Sequence, residues 1–213
     1  MARTKAFDTN EVLHKAMSVF GSRGFEGTTL PDLITGLGIA RQSLYDTYGT
    51  KRNLFLKAVQ HYMDRKNCDL QELMEQPGKV TDKVEQVFTT MIRVLVDPDL
   101  REECFIISSA IEQAPKDEEL AAYIHVNNEQ VEQSFYKMLE RGMEQGELSL
   151  ELNIRDLSRF LAHERIALVF AAKLGMDEPK LISIMQIVLS VIKPIEGDSN
   201  ENVQKKGLST GHL

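Results

Sequence analysis

Thr28-Thr29-Leu30-Pro31-Asp32-Leu33-Ile34-Thr35-Gly36-Leu37-Gly38-Ile39-Ala40-Arg41-Gln42-Ser43-Leu44-Tyr45-Asp46-Thr47-Tyr48 reads as two short helices split by a glycine. Thr29 can cap the first, Pro31 is tolerated in a first turn that needs no N–H, and Asp32 suits the positive end of the helix dipole. That helix ends near Gly36. Gly38 can take a positive-φ turn between Leu37 and Ile39, and a second helix follows over about residues 40–48. Two short helices across such a turn form a helix-turn-helix.

Outward from this stretch the pattern stays helical, and no run shows the sustained alternation of a half-buried strand. Residues 10–23 place Leu13, Ala16, Met17 and Phe20 on one face, with Asn10 as a possible N-cap, Gly24 as a left-handed stop and Phe25 as an anchor after the turn. After Gly49-Thr50 a helix of about 39 Å is expected over residues 51–76. Its stripe of Leu54, Phe55, Ala58, Val59, Tyr62 and Met63 lapses at Arg65-Lys66-Asn67 and resumes at Leu70, so one helix leaves a first domain and enters a second. Further helices are expected at about 80–96, 103–113, 117–145, 153–174 and 178–195, which makes nine and an all-α fold. The expected organisation is a helix-turn-helix domain over residues 1–50, a helical bundle over 51–195, and a disordered tail over 196–213 with little to bury.

Composition narrows the function. The 213 residues carry 25 basic and 32 acidic side chains, a net charge of −7. Residues 1–57 hold eight Lys/Arg against five acids, whereas the remainder holds 17 against 27, so a basic head sits on an acidic body. Such a split directs the head alone toward a polyanion. Two cysteines, Cys68 and Cys104, are too few for a disulfide scaffold or a four-ligand zinc site. The longest apolar stretch, Leu181 to Ile192, falls short of the roughly 20 residues that span a bilayer, and no secretory leader is visible. No membrane, metal or cofactor is therefore expected, and the cytoplasm is the expected location. An enzyme is disfavoured: there is no Gly-rich phosphate loop and no Gly-x-Ser-x-Gly, and His163-Glu164 lacks the second histidine of a zinc protease motif. The acidic runs Glu102-Glu103 and Asp117-Glu118-Glu119 read as solvated helix starts.

Residues 10–62 resemble the DNA-binding domain of the TetR family of transcriptional regulators. The resemblance rests on Leu13-x-x-Ala16-x-x-x-Phe20, Gly24-Phe25, Thr28-Thr29, Gly38-Ile39 and above all Leu44-Tyr45-Asp46-Thr47-Tyr48-Gly49-Thr50-Lys51-x-x-Leu54-Phe55, with Glu140-Arg141-Gly142-x-x-x-Gly146-Glu147-Leu148 further on. It departs from the family at Ile34, where a small residue is usual, and at Ala40, where a capping Ser or Thr is usual; the lost cap is worth about 1 kcal/mol. The resemblance implies a double-stranded operator as partner. In a helix-turn-helix the second helix enters the major groove, where Arg41, Gln42 and Ser43 would reach base edges, Arg41 favouring guanine and Gln42 adenine. Thr28 or Thr29, Tyr45, Thr47, Tyr48 and Lys51 would grip phosphates, and Arg3 and Lys5 could add an arm contact. Tyr45 and Tyr48 have a second reading as packing aromatics.

The last two helices are unusually apolar. Residues 178–195 carry Ser183, Gln186 and Ser190 as their only polar line, and Ile166 to Ala172 is an unbroken apolar run. Half of an intermolecular four-helix bundle accounts for both, and the resemblance likewise implies a two-fold homodimer. Ile166, Ala167, Leu168, Phe170, Ile184, Ile187, Val188 and Val191 are the expected interface. The resemblance further implies a small-molecule effector among helices four to eight, acting on the heads through helix four. Tyr62, Phe88, Met91, Phe105, Tyr123, Phe135, Met138 and Phe160 are candidate pocket residues for an apolar or aromatic ligand, with plain core as their alternative reading. Repression comes from the resemblance alone. The competing readings are an activator, a regulator controlled by a protein partner, and a helical binding protein without DNA activity.

Overall fold

A computed structural model describes residues 8–192, so the proposed tail and the arm residues Arg3 and Lys5 lie outside the described residues. Nine α-helices are present among these: α1 Thr9–Gly27, α2 Leu30–Leu37, α3 Arg41–Tyr48, α4 Lys51–Glu75, α5 Val80–Val96, α6 Arg101–Gln113, α7 Glu118–Glu144, α8 Ile154–Lys173 and α9 Glu178–Ile192, with a 3-10 turn at Ala114–Lys116. The fold is all-α, with no strand among the described residues.

Local chemistry sets the boundaries of the head. Asp8, not Asn10, caps α1, its carboxylate accepting from the Asn10 amide at 2.8 Å. Gly24, at φ 72°, kinks the chain where a stop was expected, and one further turn carries it to Gly27. The kink sets Phe25 against Phe20 and Phe55, with centroids 6.2 and 4.9 Å away. Thr29 and Asp32 form a reciprocal capping box on α2, and Gly38 closes that helix at φ 66°. Gly36 has a packing reason, since a Cβ there would stand 2.5 Å from Val19 Cγ2. Ala40 offers α3 no side-chain cap.

The body is built from α4 to α9, with α7 packed on α8 and α5 on α9. Phe88, Phe135, Ile106, Leu139, Leu161 and Leu181 form its fully buried centre. The Gly142 to Leu148 segment supplies three distinct services. Gly142 admits Val80 and Leu148, which would meet a Cβ at 2.9 and 3.0 Å; Gly146 turns the chain at φ 72°; and the Glu147 carboxylate accepts the Val80 amide at 2.6 Å, capping an α5 whose N-cap Lys79 cannot.

Head and body meet where α1 lies along α6 and α4. There Glu103 accepts from Arg65 at 3.0 Å and lies 3.2 Å from His14, while His61 packs edge-on to His14 at 5.2 Å between centroids. The His61 Nε2 is buried without a hydrogen-bond partner. Burial, with His14 and Arg65 nearby, pushes its pKa below the ordinary 6.5. A histidine that resists protonation only when folded stabilises the fold fully above the unfolded pKa and loses that contribution as pH falls through the folded value. Stability is therefore expected to decline below about pH 6.5. His61→Phe should flatten that decline in urea titrations at a series of pH values; an unchanged slope would contradict this.

Candidate nucleic-acid interface and inner cavity

On α3 the helical period separates two roles. Leu44 and Tyr48 face the core, the latter only 3 % exposed, whereas Arg41, Gln42 and Tyr45 are exposed and Ser43 and Thr47 half-exposed. The Arg41 guanidinium lies 5.7 Å from the Tyr45 ring centroid, and Gln42 donates to Asp46 at 2.7 Å. Tyr48 corrects the phosphate-ligand expectation toward packing, although its buried hydroxyl lacks a partner among the described residues.

Two further expected grips, Thr28 and Lys51, are turned inward. Thr28 is buried and its hydroxyl donates to the Gly24 carbonyl at 2.6 Å, which closes the kinked end of α1. Thr29 is exposed, and its hydroxyl donates to Asp32 at 2.6 Å. The Lys51 ammonium donates to the carbonyls of Phe25 and Thr28 at 2.8 and 2.9 Å and sits 4.4 Å from the centroid of the Phe25 ring. It is a staple between α1 and α4, with one N–H left for other use. No sequence signal reveals this, because its acceptors are backbone atoms that the fold brings together.

Arg52, unassigned by the sequence reading, ties the start of α4 to the body. It donates to both Asp117 oxygens at 2.6 and 2.7 Å and to Glu119 at 2.9 Å. The guanidinium lowers the Asp117 pKa, and the same carboxylate caps α7 through the Leu120 amide at 3.1 Å. Asp117 and Glu119 are thus partners of the head, which corrects their reading as merely solvated.

Between α4, α5, α6, α7 and α8 lie two adjoining cavities of about 310 and 60 Å³. Tyr62, Lys66, Met91 and Arg165 are walls of both. Of the expected pocket residues, Tyr62 and Met91 are there. Phe88 and Phe135 are solid core, Phe105 is buried away from either cavity, and Met138 borders a separate groove beside Lys83. Tyr123 is held at the surface side of α4, its hydroxyl donating to Asp64, and Phe160 is exposed on the outer face of α8. Periodicity alone cannot say which side of a doubly packed helix meets a void. Burial pushes the pKa values of both Cys104 and Tyr62 up, so the thiol is held protonated. No cluster of three or more His, Cys, Asp or Glu suited to a metal is present among the described residues.

On the outer side of α8 and α9, Ala167 is exposed, Ile187 is 63 % exposed and Val191 is exposed, with Phe170 and Ile184 half-buried. Leu168 and Val188, at 1 % exposure each, belong to the protomer's own core, and Ile166 lines the smaller cavity; these correct the expected interface. Ser183, Gln186 and Ser190 share the exposed face with Ile187, so α9 is not enclosed on every side. No helix among the described residues is long and apolar enough to cross a membrane.

The sequence pattern described as "Bacterial regulatory proteins, tetR family" matches residues 12–58. The chain is 48 % identical over 193 residues, 90 % of its length and 100 % of the relative's, to the uncharacterized HTH-type transcriptional regulator YezE of Bacillus subtilis (strain 168). It is 25 % identical to the HTH-type transcriptional repressor ComR of Escherichia coli (strain K12), over 85 % of this chain and 87 % of that one. Among solved structures, a cysteine mutant of the TetR family transcriptional regulator CifR complexed with 26bp double-strand operator DNA shares the fold. Its TM-score is 0.78 at 22 % identity, over 90 % of this chain and 100 % of that one.

Proposed function

Because the chain belongs to the TetR family of bacterial regulatory proteins, we propose that it is a DNA-binding transcriptional repressor that holds a near-palindromic operator as a homodimer and is released by a small, largely apolar effector. The observation that carries the reading is the division of α3, with Leu44 and Tyr48 buried and Arg41, Gln42 and Tyr45 turned outward. An exposed arginine and glutamine in a first turn are what a major groove can read, and Ala40 leaves the first-turn amides uncovered for a phosphate. Ser43 is the third base-facing residue. Thr29, Tyr45 and Thr47 are the phosphate contacts, with the remaining Lys51 N–H in support.

The dimer face is the exposed strip of α8 and α9 around Ala167, Ile187 and Val191. It places two heads on half-sites about 34–36 Å apart, or a multiple of that. The effector site is the inner cavity. Tyr62, Lys66 and Leu70 of α4 form part of its wall, and the same helix begins with Lys51 and Arg52, which grip the head and the α7 start. A ligand that displaces α4 therefore alters the spacing of the heads. Repression needs only that the operator overlap a promoter, and a chromosomal target places the protein in the cytoplasm.

Arg41→Ala is expected to weaken operator binding by about 1–3 kcal/mol and relax preference at one base position, with little effect on random DNA. Lys51→Met should weaken binding to every sequence alike and lower the stability of the chain as well, since two carbonyls lose their donor. Fluorescence anisotropy on operator and scrambled duplexes separates these outcomes. Equal losses on both duplexes for Arg41→Ala would overturn its base-reading role.

A further inference from the structure

Arg165 is the one strongly basic side chain of the inner cavity that carries no ion pair among the described residues, since Lys66 is paired with Asp69 at 3.1 Å. Its guanidinium makes no hydrogen bond among the described residues either, and desolvation pulls its pKa down. Arg165 is half-buried, so its guanidinium stands beside Tyr62, Met91 and Val169 with solvent access and with no protein acceptor of its own among the described residues. A second, independent donor faces the same space. Asn127 is 5 % exposed, lines the smaller cavity, and its Nδ2 is buried without a partner. Buried polar groups in native proteins are paired, so the orphaned Asn127 amide, on the same cavity as a guanidinium without an ion pair, marks a missing acceptor.

The chemistry of that acceptor follows from charge and shape. Asp69 and Glu72 line the outer side of the larger cavity and are exposed, which repels a polyanion, while a single unpaired guanidinium matches one planar monoanion in a fork. Leu70, Leu73, Val87 and Val94 give the larger cavity an apolar stretch of wall for hydrocarbon, beside the polar Gln76, Gln86 and Thr90. We propose that the effector is an apolar carboxylic acid, its carboxylate held by Arg165 with the Asn127 amide as second donor and its hydrocarbon body along Leu70, Leu73, Val87 and Val94. This rests on the reading that the inner cavity is the effector site. It also explains why α8 carries an arginine immediately before its unbroken apolar run.

The test is calorimetric binding of the full chain to hexanoate, decanoate and 3-phenylpropanoate, each beside its matching alcohol. At least one acid is expected to bind about tenfold or more tightly than its alcohol, the value of a lost charge-assisted pair. Arg165→Met should erase that preference and Asn127→Leu should reduce it. Equal affinity for acids and alcohols overturns the carboxylate assignment while leaving the cavity as the effector site. Acid binding by Arg165→Met at wild-type strength also overturns the assignment. Failure of both series to bind the wild-type chain overturns the assignment and the effector-site reading together.

Discussion

Gly21→Ala is expected to destabilise the chain by about 2–3 kcal/mol, even though alanine is the better helix former. A Cβ at Gly21 would lie 1.8 Å from the Glu102 carbonyl oxygen, 2.9 Å from its carbon and 3.1 Å from the Ile106 amide nitrogen. All three are backbone atoms of α6, so no rotamer change relieves the clash and α1 must back away. Retreat exposes Phe20 and stretches the 3.0 Å hydrogen bond from Ser109 to the Phe20 carbonyl. The propensity gain of about 1 kcal/mol from glycine to alanine works against this and is outweighed. Urea unfolding measures the net value, and for a chain of this size the unfolding temperature should fall by about 4–12 °C. Gly36→Ala serves as the control, because its Cβ meets only the Val19 side chain, which can move. A Gly21→Ala variant as stable as wild type would mean that α1 and α6 do not approach so closely.

Ile187→Glu is expected to leave the protomer folded and to remove tight operator binding. Ile187 is 63 % exposed within the protomer, so the charge costs little until a partner covers it. Buried without a counter-charge at a two-fold face it would stand near its own copy, and the dimer should separate. Each head then binds alone and loses the effective concentration supplied by its twin, a loss of about 10²–10⁴-fold. Light scattering and anisotropy on one sample check both statements. Charging Leu168 or Val188 would not make this test, since each is 1 % exposed and the protomer itself would unfold. A variant that remains dimeric and binds the operator at full strength would contradict the α8/α9 interface.

Helices were legible wherever caps and periodicity agreed. The expected helix over 80–96 has the observed bounds Val80–Val96, Thr29 and Gly38 act where their chemistry placed them, and α4 begins at Lys51, directly after Gly49-Thr50. What escaped the sequence reading depends on distant backbone. Lys51 reads as a surface cation until α1 kinks at Gly24 and presents the Phe25 and Thr28 carbonyls. Gly21 did carry a faint signal, a glycine inside a helical pattern at a cost in propensity, which usually has a packing reason. Leu168 and Val188 were misassigned because an apolar helix gives no sign of which side meets its own protomer and which a second copy. Arg165 was visible as a lone cation before seven apolar residues, but its lack of a partner is a property of the folded body alone.

The most direct test of the central claim is selection of bound duplexes from a random pool by the purified chain, sequenced at two salt concentrations. Recovery of a near-palindromic motif at both concentrations, with two half-sites about one helical turn or a multiple apart, is the result predicted for a dimer reading DNA through Arg41, Gln42 and Ser43. Soluble, folded protein that enriches no sequence and shows only binding lost with salt would contradict it.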